Sequence, residues 1–347
     1  MNKNKPIAFI SGVTGQDGAH LASLLLGKGY RVYGGYRRGI NKTWRLDYLG
    51  ITKQIKLIEF QLNEPQNIMA IFKEIKPNEF YHLAAESFIA DSYRYPNMIL
   101  EVNTLATCNI LEAIRVTSPD TRMFFASSSE IFGHSSEGEL LDELSTCYPT
   151  NPYAISKLSG DYFIKMYREK YGLFACSGIL FNHEGPLRSG QFVSRKITHN
   201  IARLKLKGGD PIVLGSLSGS RDWGAAIDYV EAMRLMLLSS IPKDFVIATG
   251  KLSTVRDFLK LSALEVGFDP VFEGEYENEL CIDNNSGMKI AEVSEHYFRP
   301  FDTLPLAGNS LKIESDLGWK RTVNFEKLIS TMVKADIERW NKGILDI

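Results

Sequence analysis

Ile7-Ala8-Phe9-Ile10-Ser11-Gly12-Val13-Thr14-Gly15-Gln16-Asp17-Gly18 is a short apolar run that breaks into three glycines spaced GxxGxxG and leads into an amphipathic stretch at 19–28. Alone, three glycines read as a turn. With a strand before them and a helix after, they permit close backbone approach, so that the free N–H groups at the helix start can hold a pyrophosphate. Gly12, Thr14, Gly15, Gln16, Asp17 and Gly18 are therefore candidate cofactor-binding residues.

Working outward, β-branched and aromatic runs at 7–11, 31–36, 55–60, 79–83, 122–127 and 174–181 alternate with helical stretches at 19–28, 66–75, 97–116 and 152–171. Strands alternating with helices predict βαβ units and a doubly wound parallel sheet of the Rossmann type. Gly29 reads as the stop of the first helix, and Asn63 before Pro65 as the cap of the next. After about Gly185 the pattern loosens into turns, with helical signals at 227–238 and 254–264 and a strand near 245–248 that can rejoin the first sheet. The expected division is a Rossmann domain at 1–184 and 222–252, interleaved with a smaller α/β substrate-binding lobe at 185–221 and 253–347.

The second strand ends in Gly35-Tyr36-Arg37-Arg38. A carboxylate at this place would bind a ribose 2′-hydroxyl, whereas two guanidinium groups suit a 2′-phosphate, which favours NADP over NAD. The plainer alternative is a solvated basic loop end.

The chain has 347 residues, 44% of them hydrophobic, and a net charge of -1. This is ordinary for a folded globular protein and argues against a general nucleic-acid or anionic-membrane binder. Four scattered cysteines form no CxxC, so neither a disulfide framework nor a zinc site is expected. His183 and His199 lack ligand spacing, and no metal is expected. No apolar stretch resembles a signal peptide or approaches the ~20 residues that span a bilayer, so the default expectation is a cytoplasmic protein.

Tyr153 and Lys157 in NPYAISK lie four residues apart, one helical turn on one face. A fixed ammonium there would lower the phenol's pKa and make Tyr153 a base for an alcohol. The pair alone also fits a solvated helix face. Ser128 and Glu130 in ASSSEIFG, just upstream, add a hydroxyl and a carboxylate.

GVTGQDG, RR, ASSSEIFG, NPYAISK, GILFNHEGPLRSGQFVSRKIT, SRDWG, FVIATG and YFRP, in this order, resemble the extended short-chain dehydrogenase/reductase superfamily and, within it, the GDP-mannose 4,6-dehydratase family. The resemblance implies an NADP-dependent, redox-neutral dehydration of a GDP-sugar: hydride leaves sugar carbon 4, water is eliminated across carbons 5 and 6, and the hydride arrives at carbon 6. It implies Tyr153 as general base, Lys157 as its partner and a ribose contact, Ser128 as the group orienting the carbon 4 hydroxyl, and Glu130 as the acid/base of elimination. Leu83 and Ala84 become cofactor contacts. Glu86, Ser87, Asn182, Lys196, Arg221, Arg299 and Asp302 become sugar, diphosphate or guanine contacts.

Four residues depart from the family pattern: Ser128 for Thr, Glu86 for a neutral residue, Gly185 for Ser and Asp302 for Glu. Glu86 could meet a different hydroxyl pattern, which leaves a GDP-manno-heptose open beside GDP-mannose. A nucleotide-sugar 4-epimerase or 4-reductase, for which Glu130 would be dispensable, is the next alternative, and a non-catalytic NADP-binding protein the last. The resemblance also implies a homodimer or homotetramer, with the loop GINKTWRLDYL reaching a neighbouring cofactor.

Overall fold

The computed structural model describes residues 5–39, 43–134, 136, 138–294 and 305–344. Strands β1 (Ile7–Ser11), β2 (Arg31–Tyr36), β3 (Lys56–Glu59), β4 (Glu79–His82), β5 (Arg122–Ala126), β6 (Ala175–Leu180) and β7 (Phe245–Ile247) form one sheet in the order β3-β2-β1-β4-β5-β6-β7. Every neighbouring pair is parallel. β4 and β6 are buried along their whole length, as expected of strands covered by helices on both faces. The order reverses between β1 and β4, and in such sheets ligands bind beyond the strands' carboxyl ends at that point.

Helices α1 (Gln16–Gly27), α2 (Pro65–Ile75), α3 (Ala106–Thr117), α4 (Pro152–Tyr171), α5 (Val193–Lys207), α6 (Ala226–Leu238), α7 (Val255–Glu265) and α8 (Phe325–Asn341) complete the frame. One sheet face is closed by α1 and α6, through Leu21, Leu25, Met233 and Met236, with Trp319 packed into the same core. On the other, Phe72, Leu111 and Ile164 from α2, α3 and α4 pack around Phe9, Phe80 and Phe125. Phe72 meets Phe80 edge-on with centroids 4.9 Å apart, a favourable aromatic geometry. A second core, with Ile201, Phe258, Ile290 and Met332, joins α5, α7 and α8 to a smaller sheet of Ile212–Leu214, Pro270–Glu273, Leu280–Asp283 and Lys289–Val293. There Trp223 stacks on Phe325 with centroids 5.8 Å apart, a packing role.

Two local expectations are corrected. Asn63 does not cap α2: the helix starts at Pro65, so the cap position is Glu64 and Asn63 lies one residue too early, and Glu64 makes no side-chain cap bond. The helix expected at 97–116 is not uniform either. Pro96–Ile99 runs into a π-helical turn, Leu100–Leu105, before α3. That turn inserts buried Asn103 toward β4 and α4, and π turns recur at functional sites for this reason. Among the described residues, no helix is long and apolar enough to cross a membrane.

Candidate active site

A left-handed Gly12 (φ +71°) begins the glycine-rich turn, and a Cβ there would come 2.9 Å from the Ala84 amide nitrogen. A Cβ on Gly18 would stand 2.3 Å from the Gly12 carbonyl oxygen, so α1 could not start so close to β1 with any side chain at 18. Ser11 Oγ accepts from the amides of Leu83 (3.1 Å) and Ala84 (3.2 Å), fixing the loop after β4 beside the turn. Between them opens a cleft of about 690 Å³. Its lining includes Gly12, Thr14, Gly15, Gln16, Asp17, Gly18, Arg37, Arg38, Leu83, Ala84, Glu86 and Ser87. All the positions read as cofactor-binding from the turn, the two arginines and the β4 loop thus face one space. A backbone cradle closed to any Cβ, at the start of a twelve-residue helix, fits a nicotinamide dinucleotide's pyrophosphate.

The charges around it are not all aimed at a ligand. Asp17 turns back to His183, whose Nε2 lies 2.8 Å from Oδ2. Burial acts to raise the Asp17 pKa, but His183 and Arg188 outweigh it and hold the carboxyl down at about 2. Arg37 Nη1 pairs with Glu86 at 2.5 Å, while Arg38 pairs with Glu59 at 2.9 Å and Glu64 at 3.7 Å. Arg45 donates to the carbonyls of Thr14 (3.0 Å) and Leu187 (2.6 Å), riveting the turn to the chain after β6.

At the end of β5, Ser128 starts the short turn Ser129–Phe132, which carries Glu130; Ser128 Oγ accepts from the Glu130 amide at 3.3 Å. Asn-Pro then opens α4. Asn151 Oδ1 caps the helix by accepting from the Ala154 amide (2.8 Å), while its Nδ2 donates to Glu130 Oε2 (3.2 Å). Ser128 is also close enough to the Tyr153 phenol to act against the rise of its pKa. Four candidates from two segments, Ser128, Glu130, Tyr153 and Lys157, are thereby brought together.

The expected electrostatics of the pair is corrected. Burial pushes the Tyr153 phenol up to about 12, and the Glu130 carboxylate adds to this while the Ser128 hydroxyl opposes it. Lys157 does not counter it: Nζ donates to the Ala126 carbonyl at 2.7 Å and lies 5.7 Å from the Tyr153 ring centre. Burial brings Lys157 down to about 8. A desolvated ammonium takes the nearest acceptor, here a carbonyl at the end of β5.

The remaining candidates fall in other places. Glu86 lines the cleft with its carboxylate paired to Arg37. Asn182 follows β6, its carbonyl accepting from the Gly224 amide at 2.8 Å. Lys196 stands on α5, its pKa lowered by burial. Arg221 lies on the strand Ser220–Asp222, which Asp222 anchors by accepting from the amides of Thr249, Gly250 and Gly308. None of Asn182, Lys196 and Arg221 lines the 690 Å³ cleft. Arg299 and Asp302 lie outside the described residues.

Sequence reasoning missed Asn103, Arg45 and Arg188. Asn103 accepts from the Glu86 amide (3.0 Å) and donates to the Glu86 carbonyl and to Ser156 Oγ (both 3.1 Å), so it ties the β4 loop to the helix of Tyr153 and Lys157. Arg188 lines the cleft, pairs with Glu184 at 3.0 Å and stacks 3.5 Å over Phe192. A polar Asn amid apolar helix positions was the one available signal for the first.

A dinucleotide cradle at the reversal of a parallel sheet, followed by YxxxK on the helix after β5 and a second lobe over the strand ends, defines the extended short-chain dehydrogenase/reductase class. UDP-glucose 4-epimerase from Thermus thermophilus in complex with NAD superposes with a TM-score of 0.80 at 25% identity, covering 95% of this chain and 98% of that one. RMD from Pseudomonas aeruginosa complexed with NADPH has the same fold, with a TM-score of 0.77 at 20% identity and coverage of 96% and 100%. The family model described as GDP-mannose 4,6 dehydratase matches residues 9–332. GDP-mannose 4,6 dehydratase 2 of Caenorhabditis elegans is 39% identical over 345 residues, 96% of this chain and 90% of the relative. This chain belongs to the GDP-mannose 4,6-dehydratase family.

Proposed function

We propose that the protein is an NADP-dependent GDP-mannose 4,6-dehydratase, releasing GDP-4-keto-6-deoxymannose and water. The observation that carries this reading is Glu130, held by Asn151 in the group that also contains Ser128 and Tyr153. A plain alcohol oxidation needs one base, whereas elimination needs a second acid/base group.

The bound nicotinamide would accept the hydride from sugar carbon 4 and return it at carbon 6. Ser128 orients the carbon 4 hydroxyl and Tyr153 takes its proton, which requires Lys157 to leave the Ala126 carbonyl and bring its charge to the phenol. Glu130 removes the proton on carbon 5, acidified by the adjacent ketone, and passes it to the departing carbon 6 hydroxyl, which leaves as water. Tyr153 returns a proton to carbon 5 as the hydride reaches carbon 6, so protons and electrons balance without a second substrate. Glu130→Gln should abolish turnover of GDP-mannose while NADP still binds; undiminished formation of the 4-keto-6-deoxy sugar, followed by mass spectrometry, would refute the role. The matching family model and the similar relative from Caenorhabditis elegans are both GDP-mannose 4,6-dehydratases, so the manno-hexose is preferred.

NADP is favoured by Arg37 and Arg38 at the cleft. Replacing both by Ser should weaken NADP binding much more than NAD binding, and equal losses would sink this assignment. A homodimer or homotetramer is the proposed assembly, supported by exposed apolar side chains on the contacting helices near the site: Leu105 (57% exposed), Ile155 (45%) and Tyr162 (66%). A monomer in sedimentation at assay concentration would contradict it.

A further inference from the structure

The 2′-phosphate reading of the paired arginines meets an obstacle within the cleft. Both guanidinium groups already have carboxylate partners: Glu86 on Arg37, and Glu59 and Glu64 on Arg38. Two cations therefore face three anions. Glu59 and Glu64 come from the strand and loop next to β2, close in the fold to Arg38. Glu86 is different. It belongs to the loop after β4, on the far side of β1 from β2, and its carboxylate reaches Arg37 at 2.5 Å across the β1 end that the glycine-rich turn occupies.

The backbone beneath Glu86 is held on both sides, its amide donating to Asn103 Oδ1 and its carbonyl accepting from Asn103 Nδ2. Asn103 is itself buried and tied to Ser156 on α4. The carboxylate is thus carried on a fixed point of the scaffold and only its side chain can swing. Arg37, with 59% of its side chain exposed, is the only one of the two arginines bound from across the sheet.

We propose that Glu86 sets cofactor selectivity by competing with the cofactor's 2′-phosphate for Arg37. This rests on the NADP reading and deepens it. A 2′-phosphate must displace Glu86 to form a bidentate contact with the guanidinium, whereas a 2′-hydroxyl offers no charge to compete and leaves the pair in place. The carboxylate therefore lowers affinity for 2′-phosphorylated nucleotides and leaves unphosphorylated ones unaffected. Because the pair is solvent-exposed, its strength corresponds to a change of no more than about fivefold in a binding constant, and salt screens it.

The experiment is calorimetric titration of the full-length protein with NADP, NAD, 2′-AMP and 5′-AMP, for wild type, Glu86→Gln, Arg37→Met and the double variant, at low and high salt. Glu86→Gln should tighten NADP and 2′-AMP about two- to fivefold at low salt, leave NAD and 5′-AMP unchanged, and lose the gain at high salt. The gain should vanish in the Arg37→Met background. If wild type prefers NADP yet Glu86→Gln gives no gain, or if the gain persists without Arg37, competition for Arg37 is overturned while the NADP reading stands. If wild type binds NAD as tightly as NADP, both fall. Glu86→Ala repeats the test without an amide that could hydrogen-bond Arg37.

Discussion

Asn151 performs two jobs with one side chain, and they can be separated. Its Oδ1 caps α4 through the Ala154 amide, and its Nδ2 donates to Glu130 Oε2 at 3.2 Å. Asn151→Ser keeps a capping oxygen and removes the donor to Glu130, whereas Asn151→Ala removes both. Losing a cap costs about 1 kcal/mol, which in a chain of this length lowers Tm by about 1–3 °C. A hydrogen bond to a charged group contributes about 1.5–3 kcal/mol; at 3.2 Å and partly buried, the lower end applies, about tenfold in kcat. Asn151→Ser should therefore keep the cap's share of stability, melting above Asn151→Ala, and turn over GDP-mannose about ten times more slowly, with cofactor affinity intact. Asn151→Ala should show the same slowing with the lower Tm. Thermal melts, NADP titration and product formation by chromatography give the three readouts. If Asn151→Ser retains full activity, Glu130 is not oriented by Asn151 and the geometry behind its acid/base role fails.

Two further substitutions test the ground around the site. At Gly185 an added Cβ would lie 3.6 Å from both Gln16 Oε1 and His20 Nε2, two buried atoms without a hydrogen-bond partner; Gly185→Ser should stabilise the protein by about 1 kcal/mol, seen as a higher Tm, and must exceed Gly185→Ala, which supplies no hydroxyl. Asp161, one turn beyond Lys157, accepts from Ser127 Oγ at 2.6 Å, and burial pushes its carboxyl up to about 7. A folded pKa above the unfolded 3.8 means the folded state holds the proton longer, so stability is full below about pH 4 and falls as pH rises toward 7. Asp161→Asn should flatten the decline in Tm between about pH 4 and 7, and an unchanged slope would show that another group causes it.

What could be read in the sequence and what could not divide along a physical line. The inner strands of the large sheet were legible because strands covered on both faces are mostly apolar, and the glycine-rich turn was legible because φ +71° at Gly12 and a 2.3 Å approach at Gly18 admit no other residue. Such constraints act on one residue or its chain neighbours. The π-helical turn was not legible, since Leu100–Leu105 differs from an α-helix only in which carbonyl each amide meets, and its purpose, aiming Asn103 at Glu86 and Ser156, lies 17 and 53 residues away in sequence. The direction of a charge was legible least of all. Tyr153 and Lys157 sit one turn apart, as their spacing required, yet the ammonium goes to the Ala126 carbonyl and the phenol is driven up by burial. Arg37 likewise stands at the end of β2 as expected, and its partner is 49 residues away. Spacing fixes where a charged group is rooted; its target is decided by which acceptors the fold leaves within reach once water is removed. In this protein those targets are the Ala126 carbonyl and the Glu86 carboxylate.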